Sequence, residues 1–265
     1  MASVEEFMRA APARLEGNTP WAARYAAELR RVVVDQANNS ARNLQEHLGP
    51  SEIGHRCDRQ VVGKLAGIAR TNHVVDPWPS IRGVALHAWL AEAFTAANAK
   101  LPAPRWLAEQ RVTPHPEHPG TADLYDAEEL AVVDHKCLAE SSMAKVRSAA
   151  GPPIHYIIQL LLYGRGYRLM GLPVKRVALA AYPATAGSLD GLYVWERASG
   201  PQDDPLLEEV FRLTDRRKEL AIEVRNGHRQ LTDIASAPDY DDCYFCPFYR
   251  PQSKHDHGPG CPGTN

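Results

Sequence analysis

The chain has 265 residues, 44% of them hydrophobic and 23% charged, with a formal net charge of -2, which fits an ordinary globular protein large enough for one substantial domain with appendages. So small a net charge excludes a global basic signature for nucleic acid, and any such path must be a local patch. No apolar run is long enough to span a bilayer, the opening MASVEEFMRAAP lacks a basic region followed by an apolar segment, and an odd count of five cysteines suits ligation in a reducing compartment, so a cytoplasmic protein with no membrane contact is expected.

Residues 1–50 are rich in Ala and Arg and read as a helical extension, with Thr19 and Pro20 as the cap and first-turn pair of a helix running through Val34. Residues 51–235 read as the core and residues 236–265 as a separate tail. Ser51 opens SEIGHRCDRQVVGKLAG, read as one capped helix with Ile53, Val61 and Leu65 on its buried side and Cys57 within it. A lone helical cysteine is ordinarily a small buried apolar residue. Around it, Arg56, Arg59 and Lys64 are either a solvated face or contacts for phosphate. Ser80 opens a second helix, SIRGVALHAWLAEAFTAANAK, on which His87 shares a face with Gly83, Leu90, Ala91 and Phe94. That company fits a hydrogen-bonded core histidine as well as a metal ligand, and Gly83 would let the helix approach a sheet closely.

Trp106 to Thr113 alternates as a first strand and carries Glu109, either a solvated carboxylate or support for a metal shell. His115 and His118 lie among prolines and a glycine, the composition of an exposed loop. In the stretch GTADLYDAEELAVVDHK, Gly120 to Lys136, two apolar runs flank an acidic turn and read as antiparallel strands, Thr121 to Tyr125 and Leu130 to Cys137. Strand alternation puts Asp134 and Lys136 on one face and turns His135 away. Asp123, in the partner strand, reaches the same face as a cross-strand neighbour. Burying two carboxylates and a lysine together is costly without compensation. A Mg2+ or Mn2+ ion, with a third ligand from the His135 carbonyl, would relieve that cost, and a solvated surface hairpin is the alternative. A lysine beside water and a phosphodiester orients the nucleophile or stabilises the charge that builds on phosphate.

Next, SSMAKVRS reads as a short helix with Lys145 and Arg147 as candidate phosphate contacts. Pro152 and Pro153 precede IHYIIQLLLYGRGYRLMG, an apolar helix ending at Gly171, on which Gln159 and Tyr163 share a face and need partners for their polar tips. Val174 to Tyr182 and Leu192 to Trp195 read as two further strands of a mixed sheet, and Asp203 to Asn226 as a long charged helix ended by Gly227. Its Arg216, Arg217 and Lys218 fit ion pairing within the helix better than a DNA-facing stripe.

The tail, DYDDCYFCPFYRPQSKHDHGPGCPG, cannot build a core by itself, yet its cysteines and aromatics imply ordering around a bound centre. Cys243-x-x-Cys246 has metal spacing, and with Cys57 and Cys261 it supplies four thiolates for tetrahedral zinc or a four-iron cluster. Prolines after Cys246 and Cys261 favour the cluster, while His255 and His257 keep zinc open. Cys137 alternates away from Lys136 and reads as packing.

Gly120-x-x-Asp123 followed by Asp134-x-Lys136 resembles the core of the PD-(D/E)xK nuclease superfamily, and Gln159-x-x-x-Tyr163 with His87 upstream resembles its RecB-like branch. The placement of the four cysteines is similar to that in the iron–sulfur exonucleases associated with CRISPR adaptation and their phage-borne relatives. The resemblance covers Ser51 to Cys261. It implies a restriction-endonuclease-like α/β fold with a mixed central sheet flanked by helices, and an exonuclease acting on DNA, preferentially at single-stranded ends. In that reading His87, Asp123, Asp134 and the His135 carbonyl bind Mg2+ or Mn2+, Glu109 supports the site, Lys136 acts on water or phosphate, and Gln159 and Tyr163 position it. Cys57, Cys243, Cys246 and Cys261 hold an iron–sulfur cluster, recombination or CRISPR adaptation proteins are the implied partners, and a bacterial or phage-infected cell is the setting. The rival classes are a DNA-binding or recombination-accessory module and a zinc-stabilised interaction protein.

Overall fold

The computed structural model describes residues 19–38, 48–72, 76–237, 240–256 and 259–263. The chain divides into two compact units, Met1–Gln45 and Glu46–Asn265. In the first, helix α1 spans Pro20–Asn38, and the Thr19 hydroxyl accepts from Ala22 N–H at 3.1 Å, so the expected cap and first-turn pair are in place. The helix runs past Val34. His257 and residues 1–18 lie outside the described residues.

The second unit is built on one five-stranded sheet with the strand order of the sequence: β1 (Trp106–Val112), β2 (Gly120–Asp126), β3 (Ala131–Leu138), β4 (Arg176–Pro183) and β5 (Tyr193–Ala198). Pairing is antiparallel except for β3 with β4, which is parallel. The α/β class and the mixed sheet flanked by helices are therefore as expected. A parallel pair needs a long crossover, and the chain supplies it with α5 (Glu140–Arg147) and α6 (Ile154–Leu169) between β3 and β4. Before β1 come α2 (Pro50–Ile53), α3 (Asp58–Leu65) and α4 (Trp78–Asn98); after β5 come α7 (Asp204–Arg225) and the short tail helices α8 (Tyr240–Phe245) and α9 (Ser253–Asp256).

Helix α6 is apolar around most of its circumference because both sides are covered: Leu160, Leu161, Leu162 and Tyr167 are fully buried beside Val112, Val132, Val177 and Leu179. It lies against β1 closely enough that a Cβ on Gly166 would stand 2.7 Å from Val112 Cβ. Gly120 has the same kind of constraint, since a Cβ there would meet Pro50 at 2.7 Å and the Tyr163 ring at 3.2 Å. The glycine that opens the Gly-x-x-Asp motif is thus explained by close approach. Gly83 is not: a Cβ there would meet nothing within 4 Å, so it does not seat α4 on the sheet.

Ser51 to Gly67 is not one helix. It breaks at Gly54–Arg56, and Cys57 is the N-cap of α3, with extended φ and ψ of -89° and 105°. Gly49 and Pro50, and not Ser51, start α2. The break is held from outside by Arg217 of α7, which is 2% exposed and donates to the Ile53 and His55 carbonyls and to Asp58 Oδ1. Arg217 is a tie between helices, neither a DNA-facing cation nor part of an intrahelical pair, whereas Lys218 pairs with Glu117 and with Asp215 one turn away. His118, expected on an exposed loop, is 3% exposed: its Nδ1 sits 3.0 Å from the Leu48 carbonyl and its ring stacks on Phe211. No helix among the described residues is long and apolar enough to cross a membrane.

Candidate functional site

Strands β2 and β3 pair only from Asp126–Ala131 to Leu124–Val133 and then part. Asp123 and Asp134 are the next residues on each side of that fork. Lacking a ladder partner there, His135 N–H donates to Asp123 Oδ2 at 2.7 Å, so the carboxylate closes the gap that the backbone leaves open. The other oxygen, Oδ1, lies 3.3 Å from His87 Nδ1 on α4. In β1 the register runs unbroken on either side of Glu109, but Glu109 itself, opposite Asp123, has a left-handed φ of 51° and drops out of the ladder. One ligand atom each from His87, Glu109 and Asp123 lies within 4.8 Å of the others.

The second half of the site faces α6. Lys136 Nζ is 2.7 Å from Asp134 Oδ2 and donates to Gln159 Oε1 at 3.2 Å, while Gln159 Nε2 donates to Asp134 Oδ1 at 2.9 Å and reaches the Tyr163 hydroxyl at 3.2 Å. The expected shared faces therefore hold for Asp134 with Lys136 and for Gln159 with Tyr163. Asp134 is 1% exposed, and its Oδ2 meets the ammonium without the alignment of a hydrogen bond, which leaves that buried oxygen with acceptor capacity unused. The His135 side chain lies with α4 instead: its ring stacks on Phe94 at 5.7 Å and meets the His87 ring edge-on at 6.3 Å.

Burial pushes the Asp134 carboxyl above the ordinary aspartate range, with the Lys136 charge opposing it and Asp123 adding to it. Burial acts the same way on Asp123 but is outweighed by the His87 hydrogen bond and charge and by His135 N–H, so Asp123 falls below that range. Desolvation would lower Lys136, yet the Asp134 charge beside it keeps it raised and therefore cationic. Desolvation holds the His135 imidazole down to about 4, hence neutral. Glu109 is raised by partial desolvation and by the Asp123 charge. His87 is raised, chiefly by its bond to Asp123. Because its folded pKa is raised, the stabilisation from that pair is complete below the unfolded value of about 6.5 and is lost as pH rises through the folded value.

A cation held by Asp123 and His87 must displace that proton. Mn2+ affinity is accordingly expected to rise with pH across the neutral range and to level off above the raised His87 pKa. Proton release should be visible by calorimetry in buffers of different ionisation enthalpy, and His87→Gln should reduce the release and weaken binding. Mn2+ affinity that stays flat from about pH 6 to pH 8 would show that His87 is not a ligand.

The tail cysteines come together with Cys57. All four, Cys57, Cys243, Cys246 and Cys261, line one cavity beside Arg59 and Phe248, and none of them is in a disulfide. Burial, with the neighbouring cysteines adding, pushes the Cys246 thiol up to about 12. The tail is fastened to the core by backbone and ring: Thr71 and Asn72 N–H donate to the Pro247 carbonyl, and the Phe248 ring fills the space a Cβ on Gly63 would need. Arg59, read from sequence among surface phosphate contacts, is 3% exposed and belongs to this cage: it donates to Cys261 Sγ at 3.0 Å and to the Ile234 and Thr232 carbonyls. Nothing in the local sequence distinguishes it from Arg56, because its partners lie more than 170 positions away. Lys64 pairs with Glu52, Arg147 with the Gly191 carbonyl and Glu140, and Arg56 and Lys145 line one cleft beside the site.

A second group of potential ligands, His115, Glu117 and His118, is engaged otherwise, by Phe211, Lys218 and the Leu48 carbonyl respectively. Sequence reasoning passed over Tyr156, whose ring lies 5.1 Å from Lys136 Nζ. Its position one turn before Gln159 on the same helix was the available signal.

No protein-family model matches the sequence, and no curated protein matches it. Among solved structures the chain is similar to an alkaline exonuclease, LHK-Exo, from Laribacter hongkongensis, with 12% identity and a TM-score of 0.46 over 70% of this chain and 93% of that one. The same exonuclease in complex with dAMP gives 10% identity and a TM-score of 0.45 over 69% and 94%. The protein SSO0001 gives 15% identity and a TM-score of 0.45 over 91% and 98%.

Proposed function

We propose that this protein is a metal-dependent deoxyribonuclease of the PD-(D/E)xK type, in the RecB-like branch, which hydrolyses DNA from single-stranded ends and carries a structural iron–sulfur cluster. The observation that carries the reading is the fork between β2 and β3, where a carboxylate and imidazole set stands beside a buried aspartate whose lysine is held by Gln159. A solvated surface hairpin would not bury Asp134 or aim an amide at both members of the ion pair.

The donor set fits Mg2+ or Mn2+: His87, Glu109 and Asp123 each bring a ligand atom within 4.8 Å of the others, and Asp134, whose Oδ2 has acceptor capacity unused, and the His135 carbonyl would add further oxygen ligands. A cation there would supply Lewis acidity toward the phosphate and the attacking water. Lys136 remains protonated beside Asp134 and offers its ammonium to the phosphate oxygen that gains charge, or to the water. Gln159 fixes the positions of both Lys136 and Asp134, and Tyr163 fixes Gln159.

The four cysteines would hold the cluster. All four line one cavity. The cluster is the reading favoured by the prolines that follow Cys246 and Cys261, and tetrahedral zinc on the same four thiolates is the alternative.

Digestion of end-labelled single- and double-stranded DNA with Mn2+, linear against circular, tests the activity. Loss of linear single strands with circles spared is expected. Circles cut as fast as linear DNA would overturn the exonuclease reading, and DNA binding without cleavage would favour an accessory module. Gln159→Ala and Tyr163→Phe are expected to slow single-turnover cleavage in graded fashion, Gln159→Ala more, with measurable Mn2+ affinity retained. Unchanged rates in both variants would reassign the pair to packing.

A further inference from the structure

Two clefts meet at the start of α6. The inner one, about 380 Å3, holds Lys136 and Gln159 together with His55 and Lys64. The outer one, about 330 Å3, is bounded by Arg56, Lys145, Ser148 and Pro152. His155 and Tyr156 line both. Rings line the junction of the two clefts: Tyr156 lies 5.1 Å from Lys136 Nζ and His155 sits 4.4 Å from Tyr156, while His55, 6.2 Å from His155, lines the inner cleft. Among the described residues the outer cleft has Arg56 and Lys145 and no carboxylate, and the Glu52 carboxylate of the inner cleft is matched by Lys64.

Rings followed by cations along a groove are what a single strand needs, since every base offers a π face and every linkage a negative charge. Each cleft is at the small end of ligand pockets, which run from about 300 Å3 upward, so each suits one nucleotide and neither suits a base pair. We propose that the two clefts form one track for single-stranded DNA, in which Tyr156 and His155 stack a base next to the scissile linkage and Arg56 and Lys145 hold the phosphates beyond it. The inference rests on the nuclease reading and adds to it the residues that select a single strand. Tyr156 and His155 are binding and positioning residues, and Tyr156 also presents its ring to the ammonium of Lys136.

The test uses binding apart from cleavage. Single-stranded oligonucleotides with 2-aminopurine at successive positions from one end are titrated with the full-length, cluster-loaded protein in EDTA, and cleavage with Mn2+ is measured in parallel. The wild-type protein is expected to quench the probe at one or two positions only. Tyr156→Leu should weaken binding about tenfold or more and remove the quench, and Tyr156→Phe, which keeps the ring, should restore both. Arg56→Gln and Lys145→Gln should each flatten the salt dependence of single-strand binding by roughly 0.7 in slope and raise KM more than they lower kcat. Wild-type affinity, quench and salt slope in Tyr156→Leu, Arg56→Gln and Lys145→Gln, with cleavage intact in the parent protein, would overturn the track and leave the nuclease standing. A parent protein that neither binds nor cuts single strands would overturn both. Tyr156 packs partly against the core, so if Tyr156→Leu does not fold, the two cation variants decide by their salt slopes.

Discussion

Lys136→Ala is expected to slow DNA cleavage by about a hundredfold or more, the usual cost of removing a preorganised group that stabilises developing charge, while Mn2+ binding is largely spared. Lys136 stands between Asp134 and Gln159 at the wall of the inner cleft, and its side chain retains 19% exposure, enough to meet a phosphate. The same change strips a buried carboxylate of its counter-charge. Breaking such a pair costs about 3–5 kcal/mol when the remaining charge stays ionised, and Asp134 escapes part of that by taking up a proton. Burial already raises Asp134 and Lys136 holds it back, so the variant's Asp134 must titrate higher still. A carboxyl with a raised folded pKa is relatively favourable below its unfolded value of about 3.9 and loses that advantage as pH rises. The melting temperature of Lys136→Ala should therefore fall further below that of the parent protein between about pH 5 and pH 7. Single-turnover cleavage and thermal melts at the two pH values check both parts, and a wild-type cleavage rate would end the proposed mechanism. Asp134→Ala differs in one readout, because it should also weaken Mn2+ binding.

Cys57→Ala is expected to have the broader effect: loss of iron and acid-labile sulfide, loss of solubility and then loss of activity. Cys57 caps α3 at the break that Arg217 holds, and it faces Cys243, Cys246 and Cys261 across one cavity. The tail has a small cluster of its own, Cys246, Phe248 and Cys261 with a few partly buried neighbours, and the proposed centre would add to the fastening that Thr71, Asn72 and Phe248 give it. Structural zinc sites contribute about 10–16 kcal/mol of apparent binding energy in small peptides, so losing a cysteine-held centre is of the order of a whole domain's stability. The consequences should spread inward, since Gln60 lines both the cysteine cavity and the inner cleft. Iron and sulfide analysis of anaerobically purified parent and variant decides it. Stoichiometric zinc without sulfide in the parent protein would replace the cluster but keep the tie between the two ends of the domain, and neither metal nor sulfide would remove both ideas.

Local periodicity carried much of this site. The period of two placed Asp134 with Lys136, and the four-residue helical spacing placed Gln159 with Tyr163, because each pair depends only on the geometry of its own element. The Cys243-x-x-Cys246 spacing marked the tail for the same reason. Pairings across the chain were legible only in outline. Asp123 was placed near Asp134 by strand register, but its actual work, accepting from His135 N–H and from His87, follows from the two strands parting after Leu124 and Val133.

Legible in the residues alone were therefore the class of the fold, the antiparallel pair that carries Asp123 and Asp134, and the residues able to ligate or to carry charge. Which of several equivalent residues was put to which use depended on the folded chain. Arg59 went into the cysteine cage and Arg56 to a cleft; Arg217 became a buried tie while Lys218 stayed in surface ion pairs; His118 was buried against Phe211; and Glu109 took a left-handed backbone opposite Asp123. For Arg59, Arg217 and His118 the deciding partner is distant in sequence, as with Arg59 and Cys261, 202 positions apart. Spacing rules describe the few residues within one turn or one strand pair, whereas burial of a charged group is settled by whichever carbonyls, rings or sulfurs the folded chain brings to it.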